Sequence, residues 1–363
     1  MADKPLLIMA AGGTGGHMFP AQALSEEMLR RGWRVKLSTD DRGNRYTGGY
    51  SHAVRVEVIE AATFARGGKL AKLTVPLKIL KGVLQARSAM RRDRPTAIVG
   101  FGGYPSLPAM LAGGLLGVPR ILHEQNGIMG QVNAFLAKRV GRVACGTWPT
   151  ELPDGVEGID IGNPIRSEVF DKVGALYRSP ESGPLELLVI GGSQGARILA
   201  EIVPQATALL PEDIRARLRV AQQARDEDAA ACTAAYEAAG VQCVVSPFFR
   251  DVPDRLARAN LVISRSGASS MADITAIGRP SILIPYAAAS GNHQYANARG
   301  LYDADGARLI VEKKLTPEVL AKHIHEILSN PTTAKKMAAI AAARGRPKAA
   351  QDLADLVESM AGT

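Results

Sequence analysis

Cysteine is scarce in this sequence, and its spacing fits no metal site. The 363 residues include three cysteines, Cys145, Cys232 and Cys243, with no closely spaced pair among them. An odd number of separated cysteines argues against both a zinc-binding cysteine set and a disulfide framework. The sequence therefore predicts reduced thiols, as in a cytoplasmic protein.

Aromatic residues are also rare, which limits the classes of anionic partner. They make up 5% of the chain, too little for the aromatic platforms on which single-stranded nucleic acids stack. The formal net charge is nevertheless +9, which indicates a nucleotide or an acidic lipid surface as partner, or simply a charge that favours solubility. We expect no nucleic-acid partner.

Targeting signals and long apolar helices are absent from the pattern. The N-terminal residues lack the basic start and the long apolar stretch of a signal peptide. Residues 97–119 carry no charge over a length that could span a bilayer, but three prolines and six glycines interrupt them. We interpret this segment as a buried strand, a glycine loop and a short helix.

Short aliphatic runs alternate with helical patterns along the chain, which is typical of a parallel α/β architecture. The pattern PLLIMAAGGTGGH, which starts at residue 5, has a counterpart in LELLVIGGSQGAR, which starts at residue 185. A repeated strand, glycine loop and helix predicts two Rossmann-like, doubly wound domains. We place them at residues 1–162 and 163–344, and the last helix, at about 345–363, could pack back on the first domain.

The first glycine loop fails two well-known nucleotide fingerprints. A G-x-G-x-x-G motif from Gly13 needs a third glycine where Met18 stands, and a P-loop needs a lysine near His17. A looser dinucleotide interpretation stays open, because Asp40 and Asp41 end the next strand, where a ribose-binding acid would lie. His17 stands at a helix start, either as a proton acceptor or as a residue that bonds its own backbone.

Polar side chains follow several of the predicted strands. They occur in HEQNGIMG (123–130), SRSGASSMAD (264–273) and SGNHQYANA (290–298). Amides and hydroxyls at the carboxyl ends of parallel strands suit sugar hydroxyls, although each alone also fits loop capping. Two D-x-D triplets, at 226–228 and 303–305, could hold a metal ion but also fit a helix start and a turn.

The segment at residues 69–92 combines apolar and basic side chains. Leucine, isoleucine and valine interleave there with seven lysines and arginines. Apolar residues surrounded by cations fit attachment to an anionic membrane surface. A helix with one core-facing side and a solvated basic side has the same pattern, so the sequence leaves both interpretations open.

Taken together, these motifs resemble a single family. GGTGGHMFPA, GFGGYPS, HEQNGIMG, GNPIR, GGSQGAR, SRSGA and HQYANA follow one another in the order found in the MurG family, and they extend over nearly the whole chain. The resemblance implies the GT-B fold, in which two Rossmann-like domains face a cleft. It also implies no cofactor and no essential metal ion.

The resemblance further implies an inverting glycosyltransferase of peptidoglycan synthesis. Such an enzyme moves N-acetylglucosamine from UDP-N-acetylglucosamine (UDP-GlcNAc) to the C4 hydroxyl of the muramoyl sugar of lipid I, the undecaprenyl-pyrophosphoryl-MurNAc-pentapeptide, and forms lipid II. The implied location is peripheral, at the cytoplasmic face of the plasma membrane, with residues 69–92 on the anionic surface. Cell-wall assembly proteins are further implied partners.

The donor site implied by the resemblance lies mainly in the second half of the chain. Its matched positions are Arg166, Ser193, Phe249, Gly267, Ala268, Ser269, Asp273 and Gln294. Arg166, Ser193 and the helix start at 267–269 would face the diphosphate. The backbone at Phe249 would read the uracil, and Gln294 would meet the sugar hydroxyls. Asp273 would meet the ribose; the family usually has glutamate there, so the shorter side chain makes that contact longer or water-bridged.

The implied acceptor site lies in the first half. Its matched positions, which would face the acceptor diphosphate, are Thr14, Gly15, Gly16, His17, Tyr104 and Asn126. An inverting displacement needs a base for the attacking hydroxyl and stabilised charge on the departing diphosphate. We predict His17 as the base, with binding of the acceptor diphosphate as its alternative role.

Other functions are compatible with a similar fold. A UDP-GlcNAc 2-epimerase has no need of the basic and apolar segment at 69–92, and a dehydrogenase needs the missing G-x-G-x-x-G motif. A non-catalytic module that binds UDP-sugars at the membrane would bind the donor without turnover.

Overall fold

The structure is a computed structural model that describes residues 4–59, 69–192 and 195–362. Ser193, one of the predicted donor residues, lies outside the described residues, as do the side chains of 69–74. The chain divides into two compact units, residues 1–167 with 346–363, and residues 168–345.

The first unit is built on a parallel sheet. Its strands are β1 (Leu6–Ala11), β2 (Arg34–Thr39), β3 (Arg55–Val58), β4 (Ala97–Gly102), β5 (Arg120–Glu124), β6 (Arg142–Cys145) and β7 (Gly158–Asp160). Within the described residues they pair in parallel in the order β3-β2-β1-β4-β5-β6-β7. β1 and β4 are buried at every position, as strands covered on both faces are. Chain order reverses between β1 and β4, so the topological switch point lies there.

Helices cover both faces of this sheet. They are α1 (Gly15–Arg30), α2 (Asp41–Asn44), α3 (Lys69–Arg92), α4 (Leu107–Leu115) and α5 (Gln131–Ala137), with α6 (Ser167–Phe170) at the limit of the unit. Side chains of β1 alternate between two buried clusters: Leu7 and Met9 pack with residues of α1, whereas Leu6 and Ile8 pack with residues of α3 and α4.

The second unit repeats the same topology. Its strands are β8 (Leu185–Ile190), β9 (Leu218–Gln223), β10 (Gln242–Ser246), β11 (Leu261–Ser264), β12 (Ser281–Leu283) and β13 (Ala307–Leu309). They pair in parallel, in the order β10-β9-β8-β11-β12-β13 over the described part of the chain. The switch point lies between β8 and β11. The prediction of two doubly wound parallel sheets is therefore confirmed.

The remaining helices complete both units. They are α7 (Arg197–Ala208), α8 (Glu212–Arg215), α9 (Asp226–Ala238), α10 (Val252–Arg258), α11 (Ala268–Ile277), α12 (His293–Asp303), α13 (Pro317–Leu328), α14 (Pro331–Arg344) and α15 (Ala349–Ala361). The last of these, α15, packs on α1 and β4 in the first unit. Arg31 ties it there, because its guanidinium lies 2.6 Å from both Asp355 and Glu358.

The uncharged segment at 97–119 folds as predicted. It contains the buried strand β4, a turn in which Gly102 and Gly103 have positive φ values of 94° and 76°, and the short helix α4. Within the described residues, no helix is long and apolar enough to cross a membrane.

Candidate active site

The predicted acceptor residues lie at the carboxyl edge of the first sheet. Thr14 to His17 follow β1, Tyr104 follows β4, and Asn126 follows β5. β1 and β4 flank the switch point, where a crevice opens because the chain leaves these two strands in opposite directions. The fold therefore gathers residues that are more than 100 positions apart in sequence, as the bond between His17 and Gln125 shows.

The loop after β1 is held in place by Asp40. The carboxylate of Asp40 accepts hydrogen bonds from the backbone N–H groups of Gly13 (3.0 Å) and Gly43 (2.9 Å). A side chain at Gly12 would come within 2.6 Å of Pro105, so this loop needs glycine there. Asp40 is thus turned towards the loop backbone, which removes the support for Asp40 as a ribose-binding acid, whereas Asp41 is exposed.

The start of α1 presents backbone donors to a ligand. The carbonyl of Thr14 accepts from the N–H groups of His17 (3.1 Å) and Met18 (3.2 Å), while the hydroxyl of Thr14 makes no capping bond in the described structure. The first turn, as described, also has no acidic side chain. The N–H groups of Gly15 and Gly16 therefore stand at the positive end of a helix, which suits an anion such as a diphosphate.

His17 is half-buried beside these donors. Its Nδ1 lies 3.1 Å from Oε1 of Gln125, and its ring also approaches Gly103. A side chain with one ring nitrogen bonded to the protein is oriented, so the other nitrogen can act on a bound hydroxyl.

Asn126 is oriented by a buried carboxylate. Glu124 is 1% exposed, and its Oε1 accepts from the backbone N–H (3.0 Å) and the side-chain amide (3.1 Å) of Asn126. Its Oε2 accepts from the N–H of Gly130 (3.0 Å) and from Asn133 (2.8 Å). Glu124 therefore fixes the loop between β5 and α5 on which Asn126 lies.

Arg166 lies in the first unit, next to α1. Its guanidinium carbon is 4.7 Å from the centre of the Phe19 ring, and the N–H of Ser167 donates to Glu26 (2.9 Å). Both partners belong to α1, so the structure brings Arg166 to the helix that carries His17. Its predicted contact with the donor diphosphate stays a prediction.

The second unit offers another open helix start. Gly267 precedes α11 without a side-chain cap, and the first turn of this helix, as described, has no acidic residue. The hydroxyl of Ser269 is buried and has no hydrogen-bond partner among the described residues. A buried hydroxyl beside helix N–H groups would suit a phosphate, and the contacts of Gly267, Ala268 and Ser269 with the donor stay a prediction.

Gln294 belongs to a hydrogen-bonded network beside α11. Its Oε1 accepts from the N–H of Tyr286 (2.9 Å), and its carbonyl accepts from the hydroxyl of Ser266 (2.8 Å). Buried Arg265 donates to the carbonyl of Ile284 (3.1 Å) and pairs with Glu312 (3.1 Å). These bonds fix the segment after β12. Within it, the amide nitrogen of Gln294 is the group suited to a sugar hydroxyl.

Gln223 links the second glycine loop to the segment that leads to Phe249. The amide of Gln223 accepts from the N–H of Gly191 (3.2 Å) and donates to the carbonyl of Pro247 (3.1 Å). Phe249, two residues further on, is 7% exposed and lies 4.3 Å beneath the guanidinium of Arg255. This arrangement holds the backbone that is predicted to read the uracil.

One aspartate of each D-x-D triplet, considered above as a metal ligand, forms an ion pair with a nearby arginine. Asp228 of the first D-x-D triplet pairs with Arg225 (2.7 Å), and Asp303 of the second pairs with Arg299 (3.2 Å). No group of three or more histidine, cysteine, aspartate or glutamate residues within the described ranges could hold a metal ion. Asp273 is half-buried on α11, and its ribose contact stays a prediction.

Comparison with known proteins decides the family. The N-terminal domain of glycosyltransferase family 28 matches residues 7–145, and the C-terminal domain of that family matches residues 186–353. A protein of Caulobacter vibrioides named UDP-N-acetylglucosamine--N-acetylmuramyl-(pentapeptide) pyrophosphoryl-undecaprenol N-acetylglucosamine transferase is 46% identical, over 98% of this chain and 99% of its own. The chain belongs to the MurG family of glycosyltransferases.

Solved structures agree with this assignment. The crystal structure of Acinetobacter baumannii MurG matches with a TM-score of 0.80 and 30% identity, covering 98% of this chain and 100% of that one. The GT-B fold of the MurG family is therefore present here. A putative UDP-N-acetylglucosamine 2-epimerase of Listeria monocytogenes, 13% identical, matches with a TM-score of 0.68 over 98% of this chain and 96% of its own, which shows a shared fold only.

Several residues that shape this MurG-family site were not among those to which the resemblance assigned a contact with donor or acceptor. They are Asp40, Glu124, Gln125, Gln223, Arg265 and Glu312. Each acts on a backbone segment or on another side chain through tertiary hydrogen bonds, which local motifs do not specify. The HEQN and SRSG motifs do contain three of them, so position next to a matched residue was the available signal.

Proposed function

We propose that this protein transfers N-acetylglucosamine from UDP-GlcNAc to lipid I and forms lipid II. The observation that carries the proposal is the 46% identity over nearly the full length to a protein with that named activity. The site geometry supports it, because each sheet offers an open helix start next to its switch point. Two anion sites fit a reaction in which donor and acceptor both carry a diphosphate.

The second unit would bind the donor. Helix N–H groups at Gly267–Ser269 and the Ser269 hydroxyl would stabilise the diphosphate as negative charge builds on it during departure. Ser193 and Arg166 are proposed to assist. Gln294 would orient the sugar, the backbone at Phe249 the uracil and Asp273 the ribose.

The first unit would bind the acceptor. The N–H groups of Gly15 and Gly16, with Thr14, Tyr104 and Asn126, would hold the diphosphate of lipid I near His17. Nε2 of His17 would take the proton of the muramoyl C4 hydroxyl as its oxygen attacks the anomeric carbon. The bond from that carbon to the UDP oxygen breaks in the same displacement, so an α-linked donor gives a β-linked product.

Transfer of a labelled sugar tests this activity. UDP-GlcNAc labelled in the sugar is incubated with a lipid I analogue, with and without a chelator, and the lipid is extracted and counted. We expect label in the lipid only when the acceptor is present, and undiminished label with the chelator. Label that never enters lipid would contradict the transferase, while epimerised sugar nucleotide without acceptor would favour the epimerase. Loss of transfer with the chelator would contradict a metal-free reaction.

We also propose that α3 attaches the protein to the anionic inner face of the plasma membrane. Leu77, Leu80 and Leu84 are 68%, 54% and 55% exposed, and their spacing places them along one side of the helix. Val83 and Met90 face the other way, into the buried cluster with α4. The helix therefore has a core-facing side and, in addition, an exposed apolar side.

Cations accompany the exposed leucines. Lys78, Lys81 and Arg91 are exposed on the same helix. Buried leucine side chains together with cations near lipid phosphates give the two contributions that peripheral attachment needs. Residues 69–74, whose side chains lie outside the described residues, extend the same sequence pattern.

Vesicle binding tests this attachment. We expect the wild-type protein to co-sediment with vesicles of phosphatidylglycerol and phosphatidylcholine, and a Leu80→Glu/Leu84→Glu variant to bind about 10-fold less tightly, because two apolar contacts become acidic. Leu176→Glu is the matched control, since Leu176 is 86% exposed in the second unit. Equal binding by all three proteins would contradict the role of α3.

A further inference from the structure

We propose that Gln125 sets the tautomer of His17, so that Nδ1 carries the ring proton and Nε2 presents its lone pair to the acceptor hydroxyl. The inference rests on the proposed role of His17 as the base. It makes Gln125 a positioning residue for the reaction, acting on the substrate only through His17.

The orientation of the Gln125 amide follows from its neighbours. Gln125 is 1% exposed, and its Nε2 lies 2.9 Å from the carbonyl oxygen of Phe101 and 3.0 Å from that of His123. A backbone carbonyl can only accept, so the NH₂ group must be the end that faces these two oxygens. The other end, Oε1, is then the atom 3.1 Å from Nδ1 of His17.

The state of the His17 ring follows in turn. Oε1 of an amide has no hydrogen, so a hydrogen bond at this distance requires a proton on Nδ1 of His17. In a neutral imidazole the second nitrogen is then unprotonated. In the neutral ring of His17, Nε2 is therefore an acceptor, which is what a general base requires.

Buried His123 closes the network on its other side. Its Nε2 lies 3.1 Å from the carbonyl of Gly162, so this nitrogen carries the proton. Burial lowers the pKa of His123 to about 4, against the smaller opposing effect of the Gly162 carbonyl, and the ring is neutral at pH 7. Its Nδ1, 3.1 Å from Nε2 of Gln125, is thus a further acceptor that faces the amide NH₂.

The backbone of Gln125 is fixed as well. Its carbonyl accepts from the hydroxyl of Thr147 (2.9 Å) and from the side-chain amide of Asn163 (2.9 Å). The groups around the side-chain amide of Gln125 all fit one orientation of that amide, with Oε1 towards His17 and the NH₂ group towards the two carbonyl oxygens. Inverting the amide would place Oε1 against two carbonyl oxygens, a repulsive arrangement in a buried site.

The choice of an amide has a chemical consequence. Gln125 accepts the same Nδ1 proton whether His17 is neutral or has taken a proton on Nε2. The hydrogen bond is therefore kept while the acceptor proton moves to Nε2 and the UDP leaves with its bonding electrons. No reorganisation of the Gln125 network accompanies the step.

The first test reads the tautomer in the unaltered protein. ¹⁵N spectra of histidine-labelled wild-type protein, with His17→Ala used to assign the signal, report which ring nitrogen carries the proton. We expect a protonated Nδ1 and an unprotonated Nε2 for His17 in the neutral ring. A neutral His17 with the proton on Nε2 would overturn the inference, and would leave the proposed base role to be judged by its own kinetics.

The second test asks whether Gln125 acts through His17. Gln125→Met keeps the side-chain length but removes the acceptor, and we expect kcat to fall on the order of 100-fold with the acceptor KM within about threefold. In a His17→Ala background the same change should cost nothing further, because the residue it positions is gone.

Two results separate this role from a structural one. If Gln125→Met lowers kcat equally in the wild-type and His17→Ala backgrounds, Gln125 only supports the fold and the inference is wrong. The control is Gln242→Met, at an exposed position on β10, which should leave kcat unchanged. If His17→Ala itself retains full kcat, the base role fails, whereas the tautomer assignment still stands on the spectra.

Discussion

At the scale of single residues, the proposal with the largest chemical consequence is that His17 acts as the base. Its ring is oriented by Gln125 at the start of α1, and the tautomer that we propose leaves Nε2 as the acceptor that a base requires. We predict that His17→Ala lowers kcat by a factor on the order of 10² to 10⁴ and changes the acceptor KM little. Steady-state kinetics at varied acceptor concentration measure both. An unchanged kcat with a raised acceptor KM would assign His17 to binding alone.

The Arg265–Glu312 pair makes a prediction about acid stability. Burial raises the pKa of Glu312, but the N–H of Ala287 and the guanidinium of Arg265 outweigh it, and the net pKa is lowered. A lowered folded-state pKa stabilises the protein above the unfolded value of about 4.3, and this contribution is lost as the pH falls through the folded pKa.

The variant Glu312→Gln isolates that contribution. We expect it to lower the free energy of unfolding by about 1 kcal/mol at pH 7, and by progressively less as the pH falls below about 4. Urea unfolding at several pH values measures the difference. A difference that stays constant with pH would mean that the carboxylate charge contributes nothing.

Residue identity alone predicted the matched motifs but not the residues that hold them. Asp40 illustrates the limit: its place at the end of a strand fits a ribose-binding acid, yet its carboxylate bonds the backbone of Gly13 and Gly43. Gln125 and Glu124 stand in a matched motif, but their partners lie on other strands and loops. Hydrogen bonds of that kind form only in the folded chain, so the local patterns of a single sequence do not reveal them.

At the scale of elements, the start of α11 can be probed with one methyl group. A Cβ at Gly267 would meet no described atom within 4 Å, so Gly267→Ala should fold normally and cost at most about 1 kcal/mol. If the donor diphosphate lies on this helix start, the methyl group meets it. We therefore predict a KM for UDP-GlcNAc raised about 10-fold.

A second glycine supplies the control for this change. Gly48 is exposed and also has no atom within 4 Å of an added Cβ, so Gly48→Ala tests a methyl group away from the site. Equal donor KM values for Gly267→Ala, Gly48→Ala and the wild type would place the diphosphate elsewhere.

The C-terminal helix α15 makes a prediction about stability. Leu353 is fully buried and packs in the cluster formed by β1 and α1, so Leu353→Ala should lower the free energy of unfolding by about 2–5 kcal/mol. Leu176→Ala, at a position that is 86% exposed, should change it by less than about 0.5 kcal/mol. Urea denaturation compares them; similar losses for both variants would show that α15 is not anchored to this core.

The sequence pattern predicts the strands more accurately than the limits of the helices. The aliphatic pattern indicates the strands well, because parallel strands are buried on both faces. The pattern predicts a helix after the first glycine loop, and α1 begins within that loop, at Gly15, and contains Pro20. Extended Thr14 starts the helix there. The side chains of α3 show that one side faces the core and that the other exposes leucines, while attachment of this helix to a membrane stays a proposal.

At the scale of the whole molecule, the repeated glycine loop was the decisive sequence signal. Two copies of a strand, loop and helix predicted two sheets, and both have the Rossmann strand order around a switch point. The sequence allowed the return of α15 to the first unit but did not decide it, since an amphipathic helix fits any complementary apolar surface. Its buried apolar side chains pack in the first core, and its ion pairs with Arg31 add to that contact.

The central claim is that the protein joins donor sugar to lipid-linked acceptor by a single inverting displacement. Isolation of the product formed from UDP-GlcNAc and a lipid I analogue, followed by NMR of its glycosidic bond, tests that claim most directly. We expect one new β-1,4 bond between N-acetylglucosamine and the muramoyl sugar. An α-linked product, or free or epimerised N-acetylglucosamine with no lipid-linked disaccharide, would contradict it.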